Sequence, residues 1–169
     1  MSFGSMSGNA IMALNRGAKQ AGCLHNTGEG GLSPYHRQGG DLILQIGTSY
    51  FGCRDEDGNF DLDKLVAVVE SGPVRAIEIK LSQGAKPGLG GLLPAAKVTR
   101  EIAEIRGIRK GEDCASPSRH SAFSNVDEML DFVERVADAT GLPVGIKSAV
   151  GEMGFWEELA DLMADGTRG

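Results

Sequence analysis

Cysteine is scarce in this chain. Cys23, Cys53 and Cys114 are the only three in 169 residues, separated by 30 and 61 positions, which leaves no Cys-x-x-Cys pair, no zinc spacing and no even set for a disulfide framework. Such cysteine usage fits a reducing compartment, and we expect a cytoplasmic protein. Histidine is equally sparse: His25, His36 and His120 lack ligand spacing, so no metal site is expected, and Cys23-x-His25 is too little for nucleophilic catalysis. No apolar run approaches the roughly 18–20 residues that cross a bilayer, and the first residues lack the basic and apolar segments of a signal peptide. Basic residues are outnumbered, 17 Lys and Arg against 23 Asp and Glu for a net charge of −6. A nucleic-acid binder needs clustered positive charge, so small molecules are the expected partners.

Glycine is abundant, 25 residues against 5% aromatics, and it clusters in loops without a period, as where backbone approaches a ligand. With 41% hydrophobic and 24% charged residues, the chain has the composition and length of one globular domain. Ser7 caps an expected helix over 8–21, striped by Ile11, Leu14 and Ala18, with Gly22 past its end. A short strand follows at 23–26 and an apolar one at 42–46. Asp61 opens a helix carrying Leu62, Leu65, Val66 and Val69, and a strand is expected over 76–81. Thr99 caps a short helix, Cys114 sits in an extended piece, and Asn125 with Glu128 starts a helix running to about 139. A strand at 144–148 and a helix at 155–163 complete the list. Strands alternate with helices and no hairpin run is seen, the pattern of an α/β protein with a parallel sheet. Both chain ends resemble interrupted strand or turn segments, so part of a larger barrel is expected.

Three groups of residues carry possible chemistry. On the 76–81 strand, Glu78 and Lys80 alternate with Ile77, Ile79 and Leu81. A lysine in a covered parallel sheet needs a partner, so Lys80 should meet Glu78 or a ligand, and Lys147 in its apolar strand needs an anion likewise. Structural ion pairs and functional contacts are both open for these two lysines. The second group is Gln83-Gly84-Ala85-Lys86-Pro87-Gly88-Leu89-Gly90-Gly91, a loop directly after a strand, where Gln83 and Lys86 offer donors to carboxylate or phosphate oxygens. It matches neither the P-loop nor the dinucleotide-binding fingerprint, and a mobile glycine loop is its plainer reading. The third is Asn26-Thr27-Gly28-Glu29-Gly30-Gly31, with Glu29 as its single charge.

Ser2-Phe3-Gly4 with Ser7, the Asn26–Gly31 loop, Gln45 with Phe51-Gly52, and Ile79-Lys80-Leu81-Ser82-Gln83-Gly84-Ala85-Lys86-Pro87-Gly88 occur in an order that resembles the FMN-binding domain of glutamate synthases. The resemblance covers nearly the whole chain. Tyr50-Phe51-Gly52-Cys53-Arg54 and Asp113-Cys114-Ala115-Ser116-Pro117 are most similar to the stand-alone glutamate synthase-related proteins. It implies a (β/α)8 TIM-type barrel, with about five or six strands present in residues 1–169. It also implies an FMN-dependent oxidoreductase acting on CH–NH2 donors, which reduces 2-iminoglutarate, formed from 2-oxoglutarate and ammonia, to L-glutamate. By position, Ser2, Gln45 and Lys147 would contact FMN, Lys147 beside the N1 and O2 edge. Glu29, Gln83 and Lys86 would face the substrate, with Lys86 and Glu29 the catalytic pair. All fall at or just past expected strand ends, where barrel enzymes place their sites.

Some features of the family are missing from these residues. Neither a glutaminase domain nor a cysteine cluster for an iron-sulfur centre is present, so ammonia would come from elsewhere, and electrons from a donor protein or iron-sulfur subunit. Ser116-Pro117-Ser118-Arg119-His120 replaces a proline-rich stretch and leaves the role of that loop open. The strands that usually hold the flavin phosphate would lie beyond Gly169. An incomplete barrel should show an unpaired sheet edge and apolar helix faces. Two other functions fit the same residues: a subunit of an N-methylglutamate-forming synthase, and a non-catalytic assembly module lacking the phosphate site.

Overall fold

A computed structural model of the chain describes residues 1–82 and 88–168. Four parallel strands form its centre in the order β1 (His25–Asn26), β2 (Leu42–Ile46), β3 (Val74–Lys80) and β6 (Val144–Lys147). Two more strands, β4 (Leu92–Leu93) and β5 (Cys114–Ala115), pair antiparallel to each other outside that sheet. The helices are α1 (Gly8–Ala21), α2 (Leu62–Glu70), α3 (Arg100–Arg106), α4 (Val126–Thr140) and α5 (Met153–Met163). This is a mixed α/β fold, and spatial order follows chain order across the sheet.

Local chemistry accounts for the helix boundaries. Ser7, Asp61, Thr99 and Asn125 each accept a backbone N–H from the first turn, and Gly22, Gly107 and Gly141 close α1, α3 and α4 in the left-handed conformation. The expected strands shift by one or two residues, β1 beginning at His25 and β3 at Val74. The β4–β5 pair was not expected, because two-residue strands carry no periodic signal. The α1 stripe also differs: Leu14 is exposed and Asn15 is wholly buried in its stead. Asn15 earns that place by bridging, its Oδ1 accepting from Gln38 N and Gly40 N while Nδ2 donates to Gly40 O and lies 3.3 Å from His25 Nδ1.

The core lies on one face of the sheet. Leu42, Leu44 and Ile46 of β2 and Ile77 and Ile79 of β3 pack on Leu65 of α2 and on Phe132, Val133 and Val136 of α4. The opposite face carries the alternate residues and is polar at its C-terminal end, so both faces are not apolar in the way a fully covered parallel sheet would be. β6 ends the sheet on one side. Helix α5 packs on α4 yet buries none of its residues, with Val150 and Met153 exposed nearby. A four-stranded parallel sheet flanked by helices is consistent with part of a TIM-type fold. Among the described residues, no helix is long and apolar enough to cross a membrane.

Candidate active site at the strand ends

Register gathers the polar side chains. Gln45 pairs across from Glu78 and Lys80 across from Lys147, so alternation places all four on the face away from the core. Glu78 Oε1 accepts from Asn26 Nδ2 at 3.0 Å and from Gln45 Nε2, and Lys147 Nζ lies 3.8 Å away. With its carboxylate so occupied, Glu78 does not pair with Lys80, two residues on and about 7 Å along the strand. Lys80 Nζ instead donates to Glu29 Oε1 at 2.5 Å. Both partners are largely shielded from water, Lys80 more so than Glu29, which strengthens the pair relative to a surface one.

Two glycines allow Glu29 to reach this position. Asn26 Oδ1 accepts from Gly28 N at 2.8 Å, turning the chain out of β1 through Gly28 at φ +67°. At the end of β2, a Cβ on Gly47 would overlap Glu29 Oε2. Gly47→Ala is therefore expected to push Glu29 off Lys80 and to cost about 1–2 kcal/mol of stability, measured by denaturant unfolding. A wild-type midpoint would show that Glu29 has room to move.

Glu29 forms the wall between two cavities. One of about 60 Å³ is bordered by Lys80, Ser82, Thr48 and Ser116–Ser118. The other, about 230 Å³, is bordered by Ser2, Ser5, Phe51, Arg106 and Cys114. Arg106 is the unusual member. It is 8% exposed, its Nη2 donates to Phe3 O at 3.3 Å and its Nη1 to Cys114 Sγ at 3.6 Å, and it lies 4.9 Å from the Phe51 ring centre. Nε has no partner, and no ion pair holds the guanidinium among the described residues. A buried guanidinium without a carboxylate is costly, and an anionic ligand in the adjoining cavity would relieve that cost.

All three histidines are buried. Burial pushes His25 down to about 4, aided by the N-terminal amine and His36, and burial also lowers His36 and His120. Cys53 is driven up to about 12 by burial and then by Asp61, so it is an inert core thiol.

Of the residues expected at the site, Glu29, Gln45 and Lys147 converge on the polar sheet face, and Ser2 borders the cavity that holds Arg106. Gln83 and Lys86 lie outside the described residues. Arg106 was missed, although a signal existed: it stands four residues after Ile102 and three after Ala103, on the buried face of α3. A charged residue at a core position of an amphipathic helix is a site candidate.

Fold and site together define an α/β protein with a Lys80–Glu29 ion pair at the C-terminal ends of parallel strands, where such sheets place their ligands, and a buried arginine at the end of α3 on the adjoining cavity. The chain belongs to the glutamate synthase family. Residues 1–165 match the family described as the conserved region in glutamate synthase. It is 44% identical to the glutamate synthase large subunit-like protein YerD of Bacillus subtilis (strain 168), over 97% of this chain and 31% of that protein. It is 39% identical to the archaeal-type glutamate synthase (NADPH) of Thermotoga sp. (strain RQ2), over 88% of this chain and 27% of that protein. The archaeal glutamate synthase (NADPH) of Methanocaldococcus jannaschii is 36% identical over the same 88%, again 27% of the longer protein. The chain thus spans 27–31% of the length of these relatives.

Proposed function

We propose that these residues form part of a (β/α)8 barrel of glutamate synthase type, which uses FMN to reduce 2-iminoglutarate, formed from 2-oxoglutarate and ammonia, to L-glutamate. The observation that carries this reading is the uncompensated guanidinium of Arg106 in a cavity walled by Glu29, itself held by Lys80. A dicarboxylate supplies the missing anion, and the Glu29 carboxyl supplies a proton-transfer group beside it.

The polar face fits the ring edge of a flavin. Lys147 presents a half-exposed ammonium at the strand end, with Gln45 and Glu78 beside it. Its positive charge suits the N1 and O2 edge, where negative charge accumulates on reduction, and Ser2 and Gln45 would be the other flavin contacts. When bound, FMN supplies the hydride that converts the imine carbon to the amino-acid carbon. Residues of this chain do the rest. Arg106 anchors one carboxylate of the substrate and Lys86 the other, while Gln83 orients the substrate. The Glu29–Lys80 pair serves the proton that the nitrogen needs: the Lys80 ammonium directs the Glu29 carboxylate and replaces the proton that Glu29 passes on. The names of the Thermotoga and Methanocaldococcus relatives carry NADPH, so we assign NADPH as the source of electrons, passed through a donor protein or iron-sulfur subunit.

Absorbance between about 300 and 550 nm of the chain mixed with FMN and separated from free flavin tests the cofactor. Retained flavin is expected, and Lys147→Met should weaken it about tenfold, the loss of roughly 1.4 kcal/mol of charge attraction. Unchanged affinity and reduction potential in that variant would remove Lys147 from the flavin site.

A further inference from the structure

The Ser116–His120 stretch has no role in the site as described so far. Three consecutive side chains after β2 grip it and its flanks. Thr48 Oγ1 donates to Pro117 O at 2.8 Å, and Ser49 Oγ donates to Ala115 O at 3.5 Å. Tyr50, wholly buried, accepts the backbone N–H groups of Ser121 and Ala122, both at 3.1 Å, and its hydroxyl lies 3.1 Å from His120 Nδ1. Tyr50 makes this reach with φ +51°, alone among the described non-glycine residues in the left-handed region. A bulky residue held there is strained, and such strain concentrates at functional sites.

Proton counting fixes the state of the histidine. A hydroxyl has two lone pairs and one proton, and the two amides occupy the lone pairs. The proton of Tyr50 therefore goes to His120 Nδ1, which makes His120 the neutral Nε2–H tautomer. Nε2 donates to the carbonyl oxygen of Lys80 at 2.9 Å. The ring of Phe123 stacks on the imidazole, 4.7 Å between centres and 21° between planes. Lys80 is the residue whose ammonium holds Glu29, and Ser116–Ser118 border the small cavity beside that pair.

We propose that Tyr50 and His120 are positioning residues of the substrate site: a hydroxyl-to-imidazole relay that grips the Lys80 carbonyl and so aims Lys80 at Glu29, while the Thr48–Tyr50 clasp holds the Ser116–Ser118 wall. What the site binds rests on the dicarboxylate reading above; the relay does not. A histidine that merely filled space would need the Phe123 stack and no directed bond at either nitrogen.

Ring 15N chemical shifts of His120 in the full chain are expected to show the Nε2–H tautomer, and the Nδ1–H form would overturn the relay. Calorimetric titration with 2-oxoglutarate then separates positioning from packing. His120→Gln carries a donor to the Nε2 position and should bind within about threefold of wild type, whereas His120→Asn, which loses one directed hydrogen bond, and Tyr50→Phe, which loses all three made by the hydroxyl, should bind at least about tenfold more weakly. Equal affinities for the Gln and Asn variants would overturn the proposal. If the wild type itself binds no 2-oxoglutarate, the dicarboxylate reading fails and amide exchange decides the relay. Tyr50→Phe must then lose protection at Ser121 and Ala122, and retained protection overturns it.

Discussion

Replacing Arg106 by methionine is expected to weaken 2-oxoglutarate binding about 100-fold while leaving the protein as stable as before or slightly more so. The two effects have opposite signs because one group serves both. Among the described residues the buried guanidinium has an orphaned Nε and no carboxylate partner, so an apolar side chain of similar length removes a desolvation cost and keeps the packing on Phe51. In the complex the same guanidinium would meet a carboxylate in a shielded cavity, and truncating one member of such a pair typically costs about 2–5 kcal/mol. Titration of both proteins with 2-oxoglutarate, beside their thermal melts, checks this. A variant that loses stability but keeps its affinity would make Arg106 a structural residue and remove the anion site.

Stability is expected to fall as pH drops from about 6.5 to about 4, before most carboxylates titrate. His25, His36 and His120 are all neutral in the fold because burial disfavours their charged forms, and His25 is held down at about 4. In the unfolded chain they protonate near 6.5, so between these values the unfolded state binds more protons and gains on the native state. The histidine contribution is complete above about pH 6.5 and is lost as pH falls through the native values. His25 alone accounts for roughly 2 kcal/mol, less than the full shift implies because part of it comes from the charge of the N-terminal amine, which solvent screens. Denaturant unfolding at pH 7.5 and pH 4.5 measures the loss. His25→Asn keeps an acceptor for Asn15 Nδ2 without a titrating ring, and should flatten the slope by about that amount. An unchanged slope would assign the loss to the other two histidines. Asp55, Glu128 and Asp165, lowered by hydrogen bonds from Asn59, Ser124 and Thr167 respectively, act in the opposite pH range: their lowered native values remove stability below about pH 4.

Much of the fold was legible because its signals are local. The bounds of α1 follow from Ser7 and Gly22, and those of α4 from Asn125 and Gly141, each cap satisfying backbone groups within one turn. Strand β2 is recognisable from five consecutive residues, and family membership from motifs spread along the chain. That Lys147 lies on a strand was readable from its own segment, whereas the site roles of Glu29 and Gln45 entered only through the family resemblance, and the place of Glu29 depends on the turn at Gly28 and on the room left at Gly47. Leu14 and Asn15 show where local reasoning ends: an apolar stripe predicts Leu14 inward, but the four hydrogen-bonding groups around Asn15 come from Gln38, Gly40 and His25, all distant in sequence.

By itself, the sequence determined the α/β class, the helix limits, the family and the side chains available for chemistry, because caps, periodicity and motifs act over a few residues. Tertiary structure alone decided the pairings. It matched Lys80 with Glu29 and gave Glu78 to Asn26, Gln45 and Lys147. It also left Arg106 without a carboxylate among the described residues and joined Tyr50 to Lys80 through His120. Those choices depend on strand register and on loops meeting across 33 to 70 residues of chain, and electrostatic and hydrogen-bond energies depend on the resulting distances and burial, which no local pattern contains.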